Sequence, residues 1–221
     1  MSSPVTLQRR ATLAHREPLA ALKEKPFEGK LILRGKLELI GSAAASVLAA
    51  PLPAKVYETA TGKRAVAQWL GPDEWLIATA PGDEAALLAD LSTALSAWHV
   101  QAVDVTDYYT TIALSGAHAR DMLMKVTTTD FHPRAFKPGM GITTNFARTV
   151  AWTRQTGDTA FDIIVRISMA DYLWCLLAEA GHEWGLPLQT PKGGDVKLHL
   201  PHFETGMADH ATAVGSDLEI A

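Results

Sequence analysis

The chain has 221 residues, of which 48% are hydrophobic, and a formal net charge of −4; these values describe an ordinary soluble globular protein of one or two domains. Its single cysteine, Cys175, excludes an intrachain disulfide and a cysteine-based zinc site, and fits a reducing compartment. Net negative charge without a basic run argues against nucleic acid as a partner, and the longest weakly apolar run, residues 43–54, contains Pro51 and Pro53 and is too short to span a bilayer.

The opening residues, "MSSPVTLQRRATLAHREP", have no continuous apolar core of the signal-peptide kind, so a cytoplasmic location is expected. Residues 31–40, "LILRGKLELI", alternate apolar and polar after Leu33 and predict a strand; Gly41 and Ser42 then lead into an alanine-rich helix over 43–50, closed by Pro51 and Pro53. "RAVAQWL" from Arg64 and "EWLIATA" from Glu74 predict two strands joined through Gly71-Pro72-Asp73 as a hairpin. A helix follows, with Asp83 and Glu84 at its positive end and Ala86, Leu87, Asp90, Leu91, Ala94, Leu95 and Trp98 along its inward face. "VQAVDVT" from Val100 predicts a further strand.

The second half repeats the list. "TTIALSG" from Thr110 predicts a strand, and "AHARDMLMKV" from Ala117 a helix with Met122, Leu123 and Val126 inward. "TNFARTVAWTR" from Thr144 and "AFDIIVRIS" from Ala160 predict two strands joined at Gly157-Asp158. Ser168 is expected to cap a last helix, with Asp171 as the capping-box acid and Gly181 as its stop. Strand, helix, strand, strand, helix thus occurs twice. The expected fold is α+β, two pseudo-repeated β-α-β-β-α halves with antiparallel sheets and helices over one face. The expected organisation is an arm at 1–27, one domain at 28–182 with halves at about 28–105 and 106–182, and a C-terminal extension at 183–221.

Several groups of residues invite a chemical reading. Trp69 and Trp75 flank Asp73 and Glu74. The residues favour sheet packing for the tryptophans over a ligand platform. Adjacent carboxylates on an extended chain diverge, which disfavours a catalytic pair. "VDVTDYYTT" holds Asp104, Asp107, Tyr108 and Tyr109, as an acid/base group or as an Asx turn between strands; no histidine or lysine stands beside them in sequence. "TTTDFHPRAFKPGMG" holds Asp130, His132 and Arg134 in a long loop, with no G-x-S-x-G elbow for a triad, and its Gly139-Met140-Gly141 matches no nucleotide-binding fingerprint. His199, His202 and His210 could serve zinc, but Pro201 breaks the helix that would align the first two. Cys175, within "DYLWCLL", is expected to be a buried structural residue. No catalytic, cofactor-binding or metal-binding residue emerges.

"WLGPDEWLIA", "VDVTDYYTTIALSGAHARDML", "DFHPRAFKPG" and "FDIIVRISMADYLWCLL", taken in order from about Leu31 to Ala180, resemble the gamma subunit family of heterotetrameric sarcosine oxidase. That family is related in fold to the folate-binding domain of the glycine-cleavage T-protein. The resemblance implies a non-catalytic subunit of a complex that oxidatively demethylates sarcosine to glycine, yielding peroxide and formaldehyde or 5,10-methylenetetrahydrofolate. It implies alpha, beta and delta partner subunits, alpha being the direct contact, which hold FAD, FMN, NAD and tetrahydrofolate, with none in this chain. Three readings stand at this point. The chain is such a subunit of sarcosine oxidase or of a related N-methyl amine demethylase such as N-methylglutamate dehydrogenase; it is a stand-alone folate-dependent enzyme in which Asp104 or Asp107 holds the pterin; or it is a metal module using the tail histidines. On the first reading the two ends dock on partners. Deleting 1–25 or 186–221 is then expected to weaken assembly while leaving the central domain folded.

Overall fold

The computed structural model describes Leu13, residues 21–25 and residues 28–187. The chain divides into units 1–188 and 189–221, and the description concerns the first. The histidines of the tail, the rest of the extension beyond residue 187, and most of the arm lie outside the described residues.

The strand expected over 31–40 and the helix expected over 43–50 share a different boundary. Strand β2 spans Gly29–Arg34, and helix α1 spans Leu37–Leu48. The stretch "KLELI" alternates like a strand, but Ile40, Ala44 and Leu48 also stand four apart, and all three are buried. Burial of that helical stripe decides between two periods that a short run leaves open. Ala49, in the left-handed region at φ 55°, ends the helix ahead of Pro51.

The predicted tryptophan hairpin is present: β4, Ala65–Gly71, pairs antiparallel with β5, Glu74–Thr79, and Trp69 lies opposite Trp75. Trp75 is buried and its indole N–H donates to the Pro53 carbonyl at 2.7 Å. Asp73 takes φ 61° in the turn. Its carbonyl accepts the Gly35 N–H, and its carboxylate accepts the Leu37 N–H at the start of α1. Glu74 turns instead toward Arg34, 3.8 Å away. The two acids do separate structural work.

One strand per half was not foreseen. β3, Tyr57–Thr61, is short and polar and pairs with β4. The segment read as a single strand from Thr144 is two, β8 at Met140–Phe146 and β9 at Thr149–Gly157. The turn between them puts Ala147 at φ 47°, where a glycine or asparagine would have signalled a hairpin. Helix α2, Glu84–Ala94, buries Leu87 and Leu91; Asp90 faces outward to Arg64, and Trp98 lies beyond the helix, partly exposed. β6 is Gln101–Asp104, β7 is Tyr109–Ser115, α3 is Ala119–Val126 and β10 is Ala160–Arg166. Helix α4, Ile167–Ala180, begins one residue before Ser168, which is therefore inside the helix rather than its cap; Gly181 does end it.

β1, Leu22–Glu24, pairs with β7 inside the span expected to be an arm. Leu22 is fully buried and Leu13 nearly so, both against the second-half core. This part of the arm has a fold-defining role that its mixture of charges and alanines conceals.

The strands run β1-β7-β10-β9-β8-β3-β4-β5-β2-β6, antiparallel throughout. The order reads the same from either end once each half is written β-α-β-β-β-α. The halves meet at the centre, where β3 pairs with β8. Each half has its own core. Phe131, Phe161, Trp174 and Leu177 anchor the second, and Leu33, Ile40, Trp75 and Leu91 the first.

The sheet also curls. β9 and β2 stand five strands apart, about 24 Å if the sheet were flat. Yet Arg154 of β9 lies 3.3 Å from Glu28, at the start of β2. Two four-residue connections, 25–28 and 105–108, cross between the two ends of the strand order. The non-helical face is thereby the inner face of a curl, and its closing seam is charged.

Candidate functional site

At that seam, Asp162 of β10 accepts from Arg154 Nε at 3.0 Å and Nη2 at 2.9 Å and from Lys25 Nζ at 2.9 Å. Glu28 bridges Lys25 and Arg154, each at 3.3 Å. Lys30 of β2 is 1% exposed and donates to the Glu28 carbonyl at 3.2 Å. Two cations, Lys25 and Arg154, thus share two carboxylates, with the Lys30 ammonium held on the Glu28 carbonyl beside them, a saturated structural cluster rather than an open reactive site. Burial pushes the Lys30 ammonium below its ordinary 10.5; Glu28 opposes this, and Arg154 and Lys25 add to it. The sign for stability follows. Between the lowered value and the ordinary one, the unfolded chain binds more protons, so stability rises with pH through that window. Denaturant unfolding followed from neutral pH to about pH 10 is expected to show this rise, and Lys30→Met to abolish it without loss of stability at neutral pH.

The sequence candidates separate. Asp104 Oδ1 accepts the Thr106 N–H at 2.9 Å, an Asx turn that closes the 105–108 crossing. Asp107 is exposed at the surface of that crossing. Asp130 accepts the His132 N–H at 2.9 Å, and His132 Nδ1 accepts the Arg134 N–H at 3.2 Å. All three side chains are exposed and organise the loop itself. Cys175 is half-buried rather than buried, since it sits beside the inward row of α4 formed by Leu173, Trp174 and Leu177. Among the described residues, no group of three His, Cys, Asp or Glu side chains is placed to hold a metal, and no helix is long and apolar enough to cross a membrane.

Tyr108 and Tyr109 belong to a larger feature. On the same face as Asp162 and Arg154, the sheet register sets Tyr109 opposite Arg166, and Trp152 opposite Ile164. The rings of Tyr109 and Trp152 lie 4.4 Å apart, and those of Tyr108 and Tyr109 5.3 Å apart, edge on. The Arg166 guanidinium lies over Tyr108 at 5.6 Å. Tyr109, Trp152 and Arg166, with Arg148, Val150 and Met169, line an open concavity of about 390 Å³, and Tyr108 stands beside it against Tyr109 and Arg166. Val150, Trp152, Arg148 and Arg166 were not singled out in the sequence. Their only signal was an exposed-parity valine and tryptophan on a strand whose other parity is buried.

A family model described as the sarcosine oxidase gamma subunit family matches residues 38–183. The sarcosine oxidase gamma subunit of Corynebacterium sp. strain U-96 is 33% identical over 170 residues, covering 76% of this chain and 82% of that protein. The Arthrobacter sp. gamma subunit is 32% identical, covering 75% and 82%. Among solved structures, the heterotetrameric sarcosine oxidase of Corynebacterium sp. U-96 contains a chain that superposes with a TM-score of 0.74 at 29% identity, covering 82% of this chain and 99% of that one. Aminomethyltransferase T of Bartonella henselae shares the fold at a TM-score of 0.55 and 16% identity, over 75% of this chain and 47% of that one. The family match runs from helix α1 through helix α4, and the chain belongs to the sarcosine oxidase gamma subunit family.

Proposed function

We propose that this chain is the non-catalytic small subunit of a heterotetrameric oxidase that demethylates sarcosine to glycine. The observation that supports this best is the match to gamma subunits over 82% of their length, together with a solved heterotetramer containing a chain of this shape. On this reading the alpha, beta and delta subunits hold FAD, FMN, NAD and tetrahydrofolate, alpha makes the direct contact, and the assembly works in the cytoplasm. This chain contributes binding surface. Residues 28–182 form the body of that surface, and the arm and the extension from Glu183 add contact area to it. The purified chain is expected to lack visible flavin absorption and sarcosine turnover, both of which appear only in the complex. A yellow, active preparation of the chain alone would refute the reading.

A stand-alone folate enzyme has one point in its favour. The aminomethyltransferase of Saccharopolyspora erythraea is 30% identical over 150 residues, although the chain spans only 40% of that enzyme's length. Against this reading, Asp104 is occupied by its own turn. Titration of the chain with tetrahydrofolate, followed by tryptophan fluorescence, is expected to show no saturable binding; saturation would favour the folate reading.

A further inference from the structure

We propose that the concavity lined by Tyr109, Trp152, Arg148 and Arg166, with Tyr108 at its side, is the anchor socket for a partner-subunit segment that presents an apolar side chain flanked by a carboxylate. This rests on the subunit reading above and gives it a location and a chemistry.

The first observation is uncompensated charge. Neither Arg148 nor Arg166 has an ion-pair partner among the described residues, although the chain as a whole carries a net charge of −4. The contrast with Arg154 is direct. That arginine, on the same sheet face, is buried and bound to two carboxylates. Arg166 lies over the Tyr108 ring, 5.6 Å from its centroid, and with no carboxylate among the described residues on its N–H donors, its fork can bind a carboxylate in two-point fashion.

The second observation is exposed apolar surface around those charges. Tyr108 is 55% exposed, Val150 52% and Ile167 42%. Tyrosine, tryptophan and arginine together are the composition of binding hot spots. The three rings pack against one another, edge on and tilted, and Arg166 lies over Tyr108, so little side-chain freedom remains to be lost on binding. Arg148 is placed by its backbone, whose N–H donates to the Tyr172 hydroxyl at 3.4 Å.

Size sets the socket's role. A stable interface buries roughly 800 Å² per partner, which one concavity of about 390 Å³ cannot supply alone. It therefore acts as the anchor of a broader contact. The occupant is a protein segment, because only a segment can continue from the socket and its exposed Val150 over the exposed Tyr108 and Ile167 beside it.

The test uses the full chain co-expressed with the other oxidase subunits, with assembly read by native mass spectrometry and by dissociation on dilution. R148E/R166E is expected to weaken association by at least about tenfold, the effect of truncating close interfacial charge pairs. Val150→Asp keeps both arginines but places a carboxylate between them and should weaken assembly comparably. Leu39→Asp, equally exposed but on α1, should leave it unchanged. Moderate salt should loosen the wild-type complex more than the R148E/R166E complex. Wild-type assembly with both socket variants equally tight, or with Leu39→Asp as damaging as they are, overturns the socket. A wild-type chain that joins no partner overturns the subunit reading itself.

Discussion

Arg154→Met is expected to destabilise the folded chain by about 3–5 kcal/mol, the cost of breaking a buried ion pair from one side. Asp162 is buried, and three of the five side-chain hydrogen bonds that join Lys25, Glu28, Arg154 and Asp162 end on its Oδ2. Without the guanidinium, that carboxylate keeps only Lys25, and Glu28 loses its tie to β9. The effect extends beyond the pair, because Glu28 and Arg154 belong to opposite halves and help hold the closing seam of the curl. The double variant Arg154→Met/Asp162→Leu should recover most of the loss, since well-packed apolar groups replace a buried pair at little cost. Urea unfolding of the two variants distinguishes the cases. A single variant as mild as a surface substitution would mean that the seam does not depend on this cluster.

The second large effect concerns the N-terminal segment. Leu22→Ala is expected to cost about 2–5 kcal/mol, as for other fully buried leucines. Deletion of residues 1–25 should cost more. It removes Leu13 and Leu22 from the second core, the whole of β1, the Glu24 contact to Thr110 and the Lys25 contact to Asp162. It also bares β7 as a sheet edge, a template for aggregation. The expectation from sequence was that this deletion would leave the domain folded; burial of Leu22 reverses it. Thermal unfolding and light scattering of the deleted chain provide the check, and a cooperative, wild-type-like transition would show that β1 is dispensable.

What could be read from the sequence divides along the range of the interactions involved. The tryptophan hairpin was legible because its signals, two apolar runs about a Gly-Pro-Asp turn, lie within residues 64–80 and act locally. The duplication was legible for the same reason, through the order of elements. The additional, fourth strand of each half was not. β3 is polar, and the β8–β9 turn uses Ala147 where the left-handed conformation is usually announced by glycine or asparagine. The start of α1 was hidden by a run that satisfies both periods until packing of Ile40, Ala44 and Leu48 decides. The curl, and with it the Lys25–Glu28–Arg154–Asp162 seam, depends on contacts more than a hundred residues apart, which no local pattern records. The socket was half legible. Tyr108 and Tyr109 stood out as a pair, whereas Trp152, Arg148 and Arg166 reach them only through the β7–β10–β9 register.

The subunit role is tested most directly by the native mass of the complex formed when this chain is expressed together with the remaining oxidase subunits. The account predicts one copy of the chain in a heterotetramer that binds flavin and oxidises sarcosine, with the chain itself flavin-free when released. A fully assembled, active oxidase that excludes the chain, or a flavin that stays with the chain on dissociation, would contradict it.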